Sequence, residues 1–126
     1  MQDRVVFLGS QPRDEVFSLM KGARFLTLAS EAEGLPIVGL EALAAGVPLA
    51  APRVPGVTEL IEDGVNGLLF EPGDEQGYSG RMLELFRSEQ LHRRLCDGVA
   101  RFPIDRYDMS GQWREHLRLL RADPAA

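Results

Sequence analysis

The sequence predicts an α/β domain, a parallel sheet of about four strands flanked by helices, with a helical C-terminal end. Short apolar runs alternate with helix-period segments through the first 70 residues. The connections between them are short, so successive strands run parallel and the helices cover the sheet. Helical patterns alone follow Pro72-Gly73-Asp74.

The elements follow in order. Arg4-Val5-Val6-Phe7-Leu8-Gly9 is an apolar run closed by glycine and predicts a buried strand. Pro12 to Gly22 predicts a helix: Pro12 suits its first turn, Asp14 and Glu15 suit the positive end, and Gly22 suits the stop. Val16, Leu19 and Met20 are its expected apolar face. Phe25 to Ala29 is the second strand, and the loop from Ser30 to Pro36 follows it. Ile37 to Ala45 is a helix stopped by Gly46, and Pro48 to Pro52 is a third strand. A short helix is expected around Val57 to Glu62. The turn Asp63-Gly64-Val65-Asn66-Gly67 then leads into the strand Leu68-Leu69-Phe70. Helices are expected from Asp74 or Glu75 to Ser88, weakened by Gly77 and Gly80, from Glu89 to about Arg101, and from Arg106 or Tyr107 to Arg121, the last amphipathic through Trp113, Leu117 and Leu120.

Composition excludes several functions. A chain of 126 residues is one small domain that can bury a core without staples. Its net charge of −5 argues against sequence-independent nucleic-acid binding, which needs a cationic surface. The single cysteine, Cys96, forbids an intramolecular disulfide, fits a reducing, cytoplasmic setting and reads as helix packing. The N-terminus is too short and polar for a signal peptide. The apolar run 34–52 has membrane length, yet Pro36, Gly39, Glu41, Gly46, Pro48 and Pro52 interrupt it.

Open parallel sheets bind ligands beyond the carboxyl ends of their strands. The loops Gly9–Gln11, Ser30–Pro36 and Arg53–Gly56 lie there. The helix after the middle loop is apolar almost all round, with Ile37, Val38, Ala44 and Ala45 beside Glu41. A carboxylate so placed needs a partner. That partner is either a structural donor, such as a loop N–H or an arginine, or a ligand hydroxyl. Glu33 lies in the loop beside Gly34, where a ligand can come close to the backbone. The helix start offers free N–H groups suited to phosphate, although Pro36 contributes none.

These residues resemble a known signature. Ser30-x-x-Glu33-Gly34-Leu35-Pro36 followed by Glu41-Ala42-Leu43-Ala44-Ala45-Gly46-Val47-Pro48 is similar to that of family 4 glycosyltransferases, retaining enzymes of the GT-B fold, with Glu33 and Glu41 in E-x7-E spacing. Pro55-Gly56-Val57-Thr58-Glu59-Leu60-Ile61, Asp63-Gly64-Val65-Asn66-Gly67-Leu68-Leu69 and Val6-Phe7-Leu8-Gly9 resemble three further elements of the same domain, in the same order.

The resemblance implies a nucleotide-sugar donor, no metal or other cofactor, and an oxocarbenium-like transition state with retention. Glu41 would accept hydrogen bonds from the ribose hydroxyls. Glu33 would be catalytic, close to the donor sugar. Ser30 belongs to the same motif, and the backbone at Gly34, Leu35 and Ile37 would approach the sugar and distal phosphate. The loop after Gly9 would lie near the nucleobase, and Thr58 and Glu59 behind the phosphates. Residues 1–126 would form a single partial domain, the C-terminal part of the donor-binding half. Nothing resembles the family's N-terminal acceptor domain or its G-R-x-x-x-x-K-G diphosphate grip, and Lys21 is the only lysine. Arg53 is the nearby cation that could substitute. Arg24 is expected to be solvated, and His92 and His116 to be exposed. An incomplete sheet leaves an edge open to a missing domain or a second copy. The expected function is therefore sugar transfer to an unspecified acceptor, by a chain poorly active alone. The alternative is a non-catalytic nucleotide-sugar-binding or interaction module.

Overall fold

The computed structural model describes residues 2–32, 34–107 and 118–121. Its elements are helix α1 (Arg13–Gly22), strand β1 (Leu26–Thr27), α2 (Ile37–Ala44), β2 (Leu49–Pro52), α3 (Pro55–Thr58), β3 (Gly67–Phe70), α4 (Glu75–Arg87) and α5 (Glu89–Ala100). Helical 3-10 turns at Gln2–Arg4 and Ile104–Tyr107 complete the set, with a helical turn over 118–121.

The sheet is parallel, in the order β1-β2-β3. It has three strands among the described residues, one fewer than the sequence predicts. The missing strand is the expected Arg4–Gly9 run, where Val5–Leu8 are exposed and pair with no strand among the described residues, Phe7 at 94% and Val6 at 75% exposure. An apolar run becomes a strand only where another strand takes up its backbone N–H and C=O groups, and among the described residues none does.

Strand alternation divides the core. Leu49, Ala51 and Leu69 pack with Leu40, Leu43, Val57 and Ile61 on one face. Ala50 and Leu68 pack with Leu85 and Leu95 of α4 and α5 on the other. Every residue of β2 and β3 is buried, as expected of a parallel sheet covered on both sides. Helix α1 docks outside this sandwich, with Phe17 and Met20 against Val38, Ala44 and Ala45. Phe17 thus takes the place expected for Leu19, which is 49% exposed.

Local chemistry fixes several of the expected ends, while β1 covers Leu26–Thr27 of the expected Phe25–Ala29 and α3 stops at Thr58, short of Glu62. Gly46 adopts φ +83° and stops α2, a conformation costly for residues with a Cβ. The Asp63–Gly67 turn is fixed by Asn66, which is buried: its Oδ1 accepts from Glu62 N at 2.9 Å and its Nδ2 donates to the Leu60 carbonyl at 2.9 Å. Gly67 permits close packing, since a Cβ there would lie 2.5 Å from the Leu49 carbonyl oxygen. Helix α3 begins two residues earlier than expected, because Pro55 suits a first helical position. Asp74 and Ser88 cap α4 and α5 through the N–H groups of Gly77 and Leu91. Of the expected last helix, Trp113, His116 and Leu117 lie outside the described residues; Leu120 is buried beside Phe17 and Met20.

Candidate functional site

Helix α2 follows the Ser30–Pro36 loop and carries Glu41 into the interior. Gly39, Leu40, Ala42 and Leu43 are buried around it, and Glu41 itself is 8% exposed. At the helix start the N–H groups of Gly39 and Leu40 both donate to the Pro36 carbonyl. Those of Ile37 and Val38 precede them as the open end of the helix. Ile37 is 54% exposed, Gly34 has open space where a Cβ would stand, and Leu35 is half-buried. The loop and first turn therefore leave room for a ligand against the backbone. Glu33 lies outside the described residues.

The partner of Glu41 is an arginine. Arg13 Nη2, at the first residue of α1, donates to Glu41 Oε1 at 3.1 Å. The Arg13 guanidinium also stands over the Phe17 ring, 5.4 Å from its centroid. Of the two open possibilities for this carboxylate, the structural donor is present within the chain. A carboxylate accepts through both oxygens, so the ion pair at Oε1 does not close the group to a ligand at Oε2. Sequence reading gave Arg13 no role. Its only signal was position, one residue past Pro12 at the start of an amphipathic helix, and the 28-residue separation from Glu41 hides the contact.

The other expected site residues do not all converge. Ser30 lines a cleft of ≈ 150 Å³ at the carboxyl ends of all three strands, with Pro52, Phe70 and Tyr78. Phe70 and Tyr78 meet edge to face there at 5.1 Å. Thr58 lies in a separate depression of ≈ 570 Å³ with Arg53, Asn66 and Phe102, and its hydroxyl donates to the Pro55 carbonyl at 3.0 Å. Gly9 is exposed with φ +67°, in the segment that leads into α1.

Three basic side chains behave differently from expectation. Arg53 donates to Glu71 at 3.0 Å and to Asp63 at 3.3 Å, and Asp63 also faces Arg81 at 3.6 Å. It braces the loops after β2 and β3 and is not a free cation for a diphosphate. Arg24 is no solvated side chain: its Nε donates to the Leu85 carbonyl at 2.8 Å and its Nη1 pairs with Glu89 at 2.6 Å. That pairing holds the Glu89 carboxyl below the usual range. His92 is not exposed either, and its Nε2 meets the Arg24 carbonyl at 2.8 Å. Cys96 lies 3.5 Å from the same imidazole nitrogen; burial, then the charge of Asp97, pushes its thiol pKa up, which suits packing and not nucleophilic attack. Among the described residues no three His, Cys, Asp or Glu side chains converge on a metal position. No helix among them is long and apolar enough to cross a membrane.

The architecture is that of a GT-B glycosyltransferase domain: a parallel sheet covered by helices, with the glutamate-bearing helix following a loop at the carboxyl edge. Residues 1–99 match the family described as Glycosyl transferases group 1, and the chain belongs to that family. It is 41% identical over 95 residues to N-acetyl-alpha-D-glucosaminyl L-malate synthase of Bacillus anthracis, covering 75% of this chain and 24% of that protein. It is 32% identical over 104 residues to D-inositol 3-phosphate glycosyltransferase of Mycolicibacterium vanbaalenii, covering 81% and 23% respectively. Among solved structures, Anabaena Alr3699/HepE in complex with UDP superposes with a TM-score of 0.74 at 27% identity, covering 93% of this chain and 33% of that one. The same protein with UDP-glucose gives 0.72. The chain thus spans about a quarter to a third of the length of these relatives.

Proposed function

We propose that this chain forms the donor-binding part of a family 4, retaining glycosyltransferase that moves a sugar from a nucleotide-sugar to an acceptor. One observation carries the reading. A buried glutamate stands on an apolar helix just beyond a glycine-containing loop, at the carboxyl edge of a parallel sheet. One solved protein of similar fold, Anabaena Alr3699/HepE, holds UDP in one structure and UDP-glucose in another. Glu41 accepts from the ribose hydroxyls through the carboxylate oxygen that Arg13 leaves available. Glu33 acts at the donor sugar, while Ser30, Gly34, Leu35 and Ile37 line the approach to the sugar and distal phosphate. Gly9 borders the base, and Thr58 supports the site through α3 without touching the donor.

No metal or other cofactor takes part in this reading. The helix start helps to balance the departing diphosphate. The setting is cytoplasmic, in keeping with a single reduced cysteine. The acceptor is bound by a complementing domain, because transfer requires both reactants held together. Residues 1–126 then act as one partial nucleotide-sugar-binding domain, poorly active alone. The exposed Val5–Leu8 segment also favours a second reading, a binding or interaction module that pairs with such a domain or with a second copy.

Calorimetric titration of the chain with UDP, GDP and their sugar conjugates tests the proposal. Micromolar to millimolar binding that Glu41→Ala abolishes supports a donor site. Absence of binding with the fold intact by circular dichroism refutes it.

A further inference from the structure

Arg13 sits where two requirements meet. Helix α1 docks on α2 through Phe17 and Met20, which brings its first residue to Glu41. The guanidinium is then confined from two sides. The Phe17 ring lies 5.4 Å from its centre, and Phe17 is itself buried. Glu41 Oε1 lies 3.1 Å from its Nη2. The Arg13 side chain is nevertheless 55% exposed, against 10% for that of Glu41. A structural counter-charge for a buried carboxylate does not need to stand half in solvent at the end of the helix entered from the Gly9 loop. A group that orients the carboxylate toward a ligand arriving from that side does.

We propose that Arg13 is a positioning residue of the donor site, which holds Glu41 by Oε1 so that Oε2 faces the ribose diol of a bound nucleotide. The inference rests on the donor-site reading given above. A carboxylate free to rotate presents either oxygen in many directions. One held at Oε1 by a guanidinium that itself lies over the Phe17 ring is restricted in how it can present its other oxygen. The recognition of ribose then depends on a residue that need not touch it.

The test compares UDP with 2′,3′-dideoxy-UDP by calorimetry on the full chain. The wild-type protein prefers UDP by roughly tenfold or more, the worth of a charge-assisted hydrogen-bond set. Glu41→Gln removes most of that preference. Arg13→Ala removes it to a similar degree while leaving dideoxy-UDP binding unchanged, and Arg13→Ala combined with Glu41→Gln loses nothing further. Arg13→Lys restores part of the preference. An Arg13→Ala protein that keeps the full preference overturns the proposal, as does one that weakens both nucleotides alike. Should Arg13→Ala fail to fold by circular dichroism, Arg13→Gln keeps the side-chain stem and is held to the same ratio. A wild-type chain that binds UDP and dideoxy-UDP equally overturns the role of Arg13 and keeps a nucleotide site. One that binds neither overturns the donor-site reading, and this inference falls with it.

Discussion

Val5-Val6-Phe7-Leu8 and Leu49-Ala50-Ala51-Pro52 are two four-residue stretches with opposite fates. The first is rich in residues that favour strands. The second is half alanine and ends in proline, a poor strand by composition. Yet Leu49–Pro52 is the central strand, paired on both sides and buried throughout, while Val5–Leu8 is exposed and pairs with nothing described. The difference teaches that β-propensity measures how well side chains suit a pleated, half-buried surface. The neighbours that create such a surface decide whether the strand forms. Pro52 is tolerated because it is the last residue of its strand, where a missing N–H costs least.

The contrast can be broken from either side. Leu68→Ala in the covered sheet should cost about 2–5 kcal/mol, because Leu68 is 3% exposed and its loss opens a cavity against Leu85 and Leu95. Urea denaturation reads this as a lowered midpoint with unchanged slope. Gly98→Ala should cost about 1–3 kcal/mol, since its Cβ would collide with the Val65 carbonyl oxygen and push α5 off the turn before β3. Thermal melting reads this as a drop in Tm. Phe7→Ser, in the exposed stretch, should shift stability by no more than about 0.5 kcal/mol. A larger loss would mean that this segment is packed in solution, and the comparison would fail.

Two smaller effects sharpen the same contrast on the far face of the sheet. Glu89→Gln should lower the urea midpoint slightly at neutral pH and not at low pH. The folded Glu89 carboxyl is held below its ordinary value of 4.5 by Arg24, so its contribution is present above that value and lost as pH falls below it. The group is largely exposed, which keeps the effect small. Cys96 should react with iodoacetamide at pH 8 more slowly in the folded chain than in urea, because burial raises its pKa only in the fold.

The two ends of the candidate site differ in how legible they were. The Asp63–Gly67 turn could be read residue by residue, since Gly64 adopts φ +79°, Asn66 closes the loop on its neighbours, and Gly67 is pressed against β2. Apart from the approach of Gly67 to Leu49, these are contacts within a few positions of one another. The need of Glu41 for a partner was equally plain from its apolar neighbours. Its identity was not, because Arg13 reaches it only after α1 has docked on α2. Arg24 and His92 depart from expectation for the same reason: each is half-buried and hydrogen-bonded to a segment more than 60 residues away.

By itself the sequence determined the order of helices and strands from α1 to α5, the stop at Gly46, the turn before β3 and a buried carboxylate on α2. Each follows from periodicity or backbone restriction over a few neighbouring residues. Only the tertiary structure decided that Val5–Leu8 stays unpaired, that Arg13 holds Glu41, that Arg53 is bound between Glu71 and Asp63, and that Ser30 and Thr58 line different clefts. Those outcomes depend on which surfaces meet, and residues distant in sequence carry no local mark of the partner that packing will bring them.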